Sequence, residues 1–271
     1  MSSSVPVPAA PSILAPHRPV DNPVVSARSL TKVYGRGSGA VKALDAVNVD
    51  IARARFTAIM GPSGSGKSTL MHCLAGLDSV TSGEIMLDGD MVSSMSQRRL
   101  TRLRRERIGF IFQSFNLVPT LSASENITLP LDIARKKVNR QRFDQVVDAV
   151  GLKDRLSHRP AELSGGQVQR VACARALVGE PAVVFADEPT GNLDSHSTEQ
   201  VLEILRRSVN DLGQSVVMVT HEPEAAAWAD TVIFLRDGHV VAELADPNRD
   251  RVLDALRELS EADSAPATKG A

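Results

Sequence analysis

No apolar run in the 271-residue sequence approaches the roughly 18 to 20 residues needed to cross a bilayer, so any membrane association has to come through a partner. Net charge is almost absent: 31 Lys and Arg stand against 32 Asp and Glu, leaving a formal -1. No overall basic field therefore draws the chain to nucleic acid or anionic lipid, although a local patch could. Cysteine is scarce as well. Cys73 and Cys173 fall in apolar helical patterns without metal-ligand spacing and allow at most one disulfide, so they read as buried thiols in a reducing compartment. The N-terminal MSSSVPVPAAPSILAPHRPVDNP has no basic start and its short apolar pieces are broken by proline, which argues against a secretory signal and for a cytosolic chain.

What is present is ordinary globular material, 42% hydrophobic, enough for one large domain or two intimate ones. Residues 1 to about 22 and 262 to 271 are rich in Pro, Ser and Ala and read as tails that cannot bury enough apolar surface to order themselves. Between them, FTAIM, AVVFAD and SVVMVT each precede a loop and a helical pattern, the alternation of an α/β domain with a parallel central sheet. VVSARSLTKVY and VKALDAVNVDI alternate more like an antiparallel sheet, with RGSG as the turn, so a β-subdomain is expected on the core. Residues from about 115 to 177 read as a helical insert, and PNRDRVLDALRELSE as a terminal amphipathic helix over 246 to 261.

Gly61, Pro62, Ser63, Gly64, Ser65, Gly66, Lys67, Ser68 and Thr69 form GPSGSGKST between FTAIM and a helical pattern expected over 67 to 76. A strand, a GxxxxGK[ST] loop and a helix make a phosphate site: glycines let backbone N–H groups wrap the anion, Lys67 meets β and γ oxygens, and Ser68 offers a hydroxyl to Mg²⁺. The plain alternative is a surface Gly/Ser turn. VVFADE supplies the second element. Asp187 is expected to hold Mg²⁺ through its water shell, and Glu188 to orient or deprotonate the attacking water, unless one of the two acids only caps the next turn. LSGGQVQRVACARAL opens with Ser164 as a helix N-cap, followed by close-approach glycines Gly165 and Gly166 and then Gln167, with nothing evident to touch.

Taken in order, GPSGSGKST, LSGGQ, VVFADEPTGNLD and the TH pair at 220 to 221 resemble the ATP-binding cassette (ABC) transporter ATPases, from about Val24 to Leu244. The resemblance implies a P-loop fold with a parallel central sheet, an antiparallel β-subdomain and a helical subdomain, spanning about 23 to 245. It implies that Tyr34, the chain's single tyrosine, stacks on adenine, that Gln113 reaches Mg²⁺ and water, that His221 contacts the γ-phosphate, and that Asp194 crosses a dimer interface. Alone, these residues would read as a strand aromatic, a strand-end glutamine, a structural histidine and an N-cap. The resemblance also implies a head-to-tail pair, in which Ser164, Gly165 and Gly166 of one copy face the ATP on the other copy's loop. Val168 departs from the family's usual polar residue after LSGGQ.

ABC ATPases also serve chromosome structure, repair and translation, so a cytosolic ATPase acting on nucleic acid or ribosomes is the alternative. Lys67 and Ser164 are too close in sequence to bracket a long coiled coil, and a single cassette is present, which disfavours those types. SQRRLTRLRRERIGF carries six arginines, but Leu100, Leu103 and Glu106 interrupt them in helical fashion, as in a solvated helix face. CLAGLD, QSFNLVPTLSASENITLPL and ADEPTGNLD resemble the macrolide-export and lipoprotein-release branch. That resemblance implies a separate membrane permease, a second ATPase copy, ATP and Mg²⁺, no nucleic acid, and a position on the cytoplasmic side of the membrane. Phe115 to Glu125 would receive a permease helix, and no long regulatory domain follows residue 245, which weighs against the sugar-importer branch.

Overall fold

The computed structural model describes residues 19–264 of the chain; most of both expected tails lies outside the described residues. Two sheets organise it. The first is antiparallel and begins with the expected hairpin, β1 (Val25–Tyr34) against β2 (Val41–Ile51), turned by a short 3₁₀ segment at Gly37–Gly39. A third strand, β4 (Ser82–Leu87), pairs with the other side of β1 and carries the two-residue β5 (Asp90–Met91).

The second sheet has β3 (Phe56–Met60), β6 (Ile108–Phe112), β7 (Val183–Asp187), β8 (Ser215–Val219) and β9 (Thr231–Arg236) in parallel, with β10 (His239–Ala245) antiparallel at one edge. Its spatial order is β10-β9-β3-β8-β7-β6. Alternate residues of its central strands enter different cores. Phe56, Ala58 and Met60 of β3, with Val184, Ala186, Val216 and Met218, pack on the helices of one face, whereas Ile59, Val183, Phe185, Val217 and Val219 pack toward the antiparallel sheet. A sheet covered on both sides explains why these strands read as unbroken apolar runs rather than as alternating ones.

α1 (Lys67–Leu74) follows β3 and is buried between the sheets; it stops short of the expected residue 76, where Gly76 takes a left-handed φ of 61°. The arginine-rich α2 (Gln97–Arg107) buries Leu100 and Leu103 and pairs two of its arginines locally, Arg102 with Glu106 at 3.0 Å and Arg107 with Asp88 at 3.0 Å. Between β6 and β7 the insert forms α3 (Ala123–Ala134), α4 (Arg140–Ala149) and α5 (Gly165–Leu177). α3 and α5 both start with capping boxes, Ser122 with Glu125 and Ser164 with Gln167, so each helix start is fixed by its own sequence. α6 (Ser195–Leu212) and the short α7 (Pro223–Ala226) precede β8 and β9, and α8 (Arg249–Ser264) buries Val252 and Ala255 on the core.

The strand pairing places the site. Phe112 stands opposite Asp187, Asp187 opposite Val219, and Val219 opposite Ile59. The segments after β6, β7, β8 and β3 therefore leave the sheet at one carboxyl-end edge, where open α/β sheets bind ligands.

Candidate functional site

Backbone crowding dictates the loop after β3. Gly66, the N-cap of α1, sits at φ 99°, and a Cβ there would come within 2.5 Å of the Ala43 carbonyl oxygen. A Cβ at Gly61 would overlap the Leu235 carbonyl oxygen, so neighbouring strands as well as any ligand require glycine at both positions. Between them Pro62, Ser63 and Gly64 are exposed, while Ser65 is buried beneath the loop; its Oγ finds no hydrogen-bond partner among the described residues. The loop thus wraps an opening at the N-terminus of α1, where unpaired N–H groups and the helix dipole favour an anion.

Lys67 folds back over this opening and donates from Nζ to the Pro62 carbonyl at 2.8 Å. Burial lowers its pKa, against the opposing pull of the Glu188 and Asp187 charges. Ser68 Oγ donates to Asp187 Oδ1 at 3.1 Å. Burial pushes the Asp187 carboxyl up, with the Ser68 hydrogen bond and His72 acting the other way; His72 Nε2 lies 3.7 Å from Asp187 Oδ2.

Glu188, one residue past β7, has a left-handed φ of 45° and is held by its own N–H donating to the Val219 carbonyl at 3.0 Å. This conformation aims its carboxylate along the sheet edge to His221, whose Nδ1 is 3.1 Å from Glu188 Oε1. Gly61 to Gly64, Gly66 to Thr69, Glu188 and His221 line a cavity of about 1000 Å³.

The remaining expected residues lie outside that cavity. Tyr34 is at its flank, donating to Asp78 Oδ2 at 2.7 Å. Gln113 packs its amide on Gly191, and the loop beyond it is tied down by Arg175, which donates to the Phe115 and Asn116 carbonyls at 2.9 and 2.6 Å. Ser164 and Gln167 satisfy each other as the α5 cap, at 3.3 Å (Gln167 N–H to Ser164 Oγ) and 2.9 Å (Ser164 N–H to Gln167 Oε1). Gly165 is exposed; Gly166 is buried against Ser197, to which a Cβ would come within 2.5 Å. Asp194 caps α6 by accepting from Ser197 N–H at 2.9 Å. The LSGGQ helix start and the Asp194 turn therefore meet each other, apart from the phosphate loop of their own chain.

Two features gave no sequence signal. Leu256 and Leu259 of α8 form part of an apolar wall of the cavity with Phe234 and Val241, although their spacing reads only as ordinary helix packing. Gln169, fully buried in α5, donates to the Pro189 carbonyl at 2.6 Å; a polar residue within a helical pattern does not reveal burial.

A hydroxyl beside a carboxylate offers hard oxygen donors of the kind Mg²⁺ takes, and among the described residues no group of three or more His, Cys, Asp or Glu is arranged to hold a metal. Mg²⁺ commonly binds with one or two carboxylates plus substrate phosphates rather than in a protein cage, so Ser68 and Asp187 fit it.

The sequence profile of the family described as ABC transporter matches residues 44–191. An uncharacterised ABC transporter ATP-binding protein of Methanocaldococcus jannaschii is 48% identical over 220 residues, covering 80% of this chain and 98% of the relative. The macrolide export ATP-binding/permease protein MacB of Bdellovibrio bacteriovorus is 44% identical over 220 residues, 81% of this chain but only 34% of that longer protein. Among solved structures, a dimeric ATP-binding cassette in a post-hydrolysis state bound to ADP and Pi superposes with a TM-score of 0.74 at 39% identity, covering 83% of this chain and 99% of the other.

Proposed function

The chain belongs to the ABC transporter family as an ATP-binding, ATP-hydrolysing subunit, and on that premise we propose that two copies close head to tail over two ATP molecules to drive a separate membrane permease. The observation that carries this reading is the incompleteness of the cavity: phosphate loop, Glu188 and His221 line it, whereas the capped N-terminus at Ser164, Gly165 and Gly166 of the same chain does not. A second copy supplies the missing half, with Gln167 holding the cap and Asp194 bridging the pair. The dimeric ADP-bound relative supports the pairing.

Within each site, Lys67 exchanges the Pro62 carbonyl for β and γ oxygens, and the loop N–H groups bind the phosphates. Ser68 and Asp187, with Gln113 approaching on its loop, would hold Mg²⁺, which would supply charge neutralisation at the phosphate oxygens. Glu188 accepts the proton of the attacking water, and His221 keeps that carboxylate oriented and meets the γ-phosphate from Nε2. Tyr34 stacks on adenine. Residues 23–245 make up the ATPase domain, with 115–177 as its helical part; the terminal helix runs over Arg249–Ser264 and starts three residues after the expected 246.

No helix among the described residues is long and apolar enough to cross a membrane; in this reading the chain sits at the cytoplasmic face, held there by the permease. The MacB relative, named as an ATP-binding/permease protein, supports work of the export, extraction or mechanical-transmission type. The test is ATP hydrolysis by the purified chain across a dilution series. Specific activity should rise with concentration as pairs form. A specific activity independent of concentration, in samples shown by sedimentation to be monomeric, would sink the paired site.

A further inference from the structure

Lys32 and Tyr34, two residues apart on β1, project to the same side of the strand, and Asp78 meets both. Asp78 Oδ2 accepts from the Tyr34 hydroxyl at 2.7 Å, and Asp78 Oδ1 accepts from Lys32 Nζ at 2.7 Å. Lys32 Nζ also donates to the Ser79 carbonyl at 2.5 Å and lies 4.7 Å from the centroid of the Tyr34 ring. Lys32 is only 6% exposed although the ring it covers is 42% exposed, so the ammonium belongs to a built contact and not to a solvated surface. Asp78 is itself anchored by its N–H donating to the His72 carbonyl of α1 at 3.2 Å, and Thr69 lies near enough to the Tyr34 hydroxyl to pull its pKa downward.

We propose that Lys32 and Asp78 are positioning residues for nucleotide binding, locking the Tyr34 ring beside the phosphate loop with one face covered by the ammonium and the other left for the base. The inference rests on the reading of Tyr34 as the adenine platform. A tyrosine at this exposure would otherwise sample several rotamers and lose that freedom on binding; holding the ring in advance removes the loss. The electrostatics agree with the geometry. Partial burial and the hydrogen bond to Asp78 raise the Tyr34 pKa. At Asp78 burial works upward, but the hydrogen bonds from Lys32, Tyr34 and the Ser79 N–H outweigh it and leave the carboxyl below its usual range. Because Asp78 hangs from α1, the ring is set relative to the same helix that begins with Lys67, which fixes the distance between base and phosphates.

The experiment titrates the whole chain calorimetrically with ATP and, separately, with inorganic tripolyphosphate, without Mg²⁺ so that hydrolysis is suppressed. Asp78→Asn and Lys32→Met should weaken ATP about three- to tenfold, the scale of one side chain's lost pre-organisation, and leave tripolyphosphate unchanged. Tyr34→Ala should weaken ATP further. Since Tyr34 is the only tyrosine in the chain, its ionisation can be followed alone in the ultraviolet, and in Asp78→Asn it should move to lower pH while far-UV circular dichroism is unaltered. If Tyr34→Ala weakens ATP but the two clamp variants do not, the clamp is wrong and the platform stands. If Tyr34→Ala leaves ATP binding intact, the platform reading fails. A parallel loss of tripolyphosphate in the clamp variants would place their effect on the phosphate loop and overturn the proposal.

Discussion

His221 Nδ1 lies 3.1 Å from Glu188 Oε1, joining the first residue after β7 to the second after β8. The contact engages one oxygen of a carboxylate that lines the cavity, which leaves the other oxygen available for proton transfer. Glu188→Gln keeps the shape and hydrogen-bonding capacity but cannot take a proton. It should lower kcat by at least about 10²-fold, leave ATP affinity unchanged and accumulate an ATP-loaded pair. Turnover measured beside sedimentation with ATP checks this; a purely monomeric variant with ATP bound would contradict it.

Ser164→Arg tests which copy the LSGGQ segment serves. Ser164 is exposed and caps α5 through its own Gln167, so an arginine there extends outward without touching the phosphate loop of its own chain. Hydrolysis should fall to background while the isolated chain binds ATP normally in equilibrium titration. Loss of binding as well would assign the segment to its own subunit's site.

The parts of this site that were legible in the sequence are those whose geometry is local. GPSGSGKST carries its loop in consecutive residues, and Ser164 and Asp194 announce helix starts because a cap is satisfied within three residues. The hairpin of β1 and β2 was readable for the same reason. β4 was not: it pairs with β1 from across the intervening β2, β3 and α1, and its run SGEIML is short. The wall supplied by Leu256 and Leu259 was hidden because the same apolar stripe serves core packing and cavity lining alike. In sequence Gly61 and Gly66 read as room for phosphates, whereas the carbonyls of Leu235 and Ala43 already exclude a side chain there.

The two cysteines should be chemically silent in the folded chain. Both are fully buried, and burial pushes the Cys73 thiol up to about 11 and the Cys173 thiol up to about 12. A raised thiol pKa means the proton stays on at pH 8, where roughly one in a thousand or fewer of either group is thiolate. Ellman's reagent at that pH should find no rapidly reacting thiol in the native chain and two after unfolding in guanidinium. Rapid native labelling would show that one of the helices opens.

Gln169 links the LSGGQ helix to the catalytic edge: from α5 it donates to the Pro189 carbonyl at 2.6 Å, immediately after Glu188, and more weakly to the Phe112 carbonyl at 3.5 Å, immediately before Gln113. Its Oε1 is buried and finds no hydrogen-bond partner among the described residues, so a fully satisfied network is not what this residue provides. Gln169→Leu keeps most of the volume and removes both the orphan oxygen and the donor, leaving the Pro189 carbonyl unpaired. The two changes partly offset, and the net cost should lie toward the low end of the roughly 1 to 3 kcal/mol associated with an unsatisfied buried acceptor. Gln169→Glu removes the donor but keeps the oxygen, setting a carboxylate against a carbonyl in the same buried space, and should cost more. Thermal unfolding should therefore rank wild type above Leu above Glu. Because the lost contact braces the turn that follows Glu188, kcat should fall in the same order with KM little changed. If Leu and Glu unfolded at the same temperature as wild type, the bond to Pro189 would be dispensable; if KM rose while kcat held, Gln169 would act on nucleotide binding and not on the placement of Glu188.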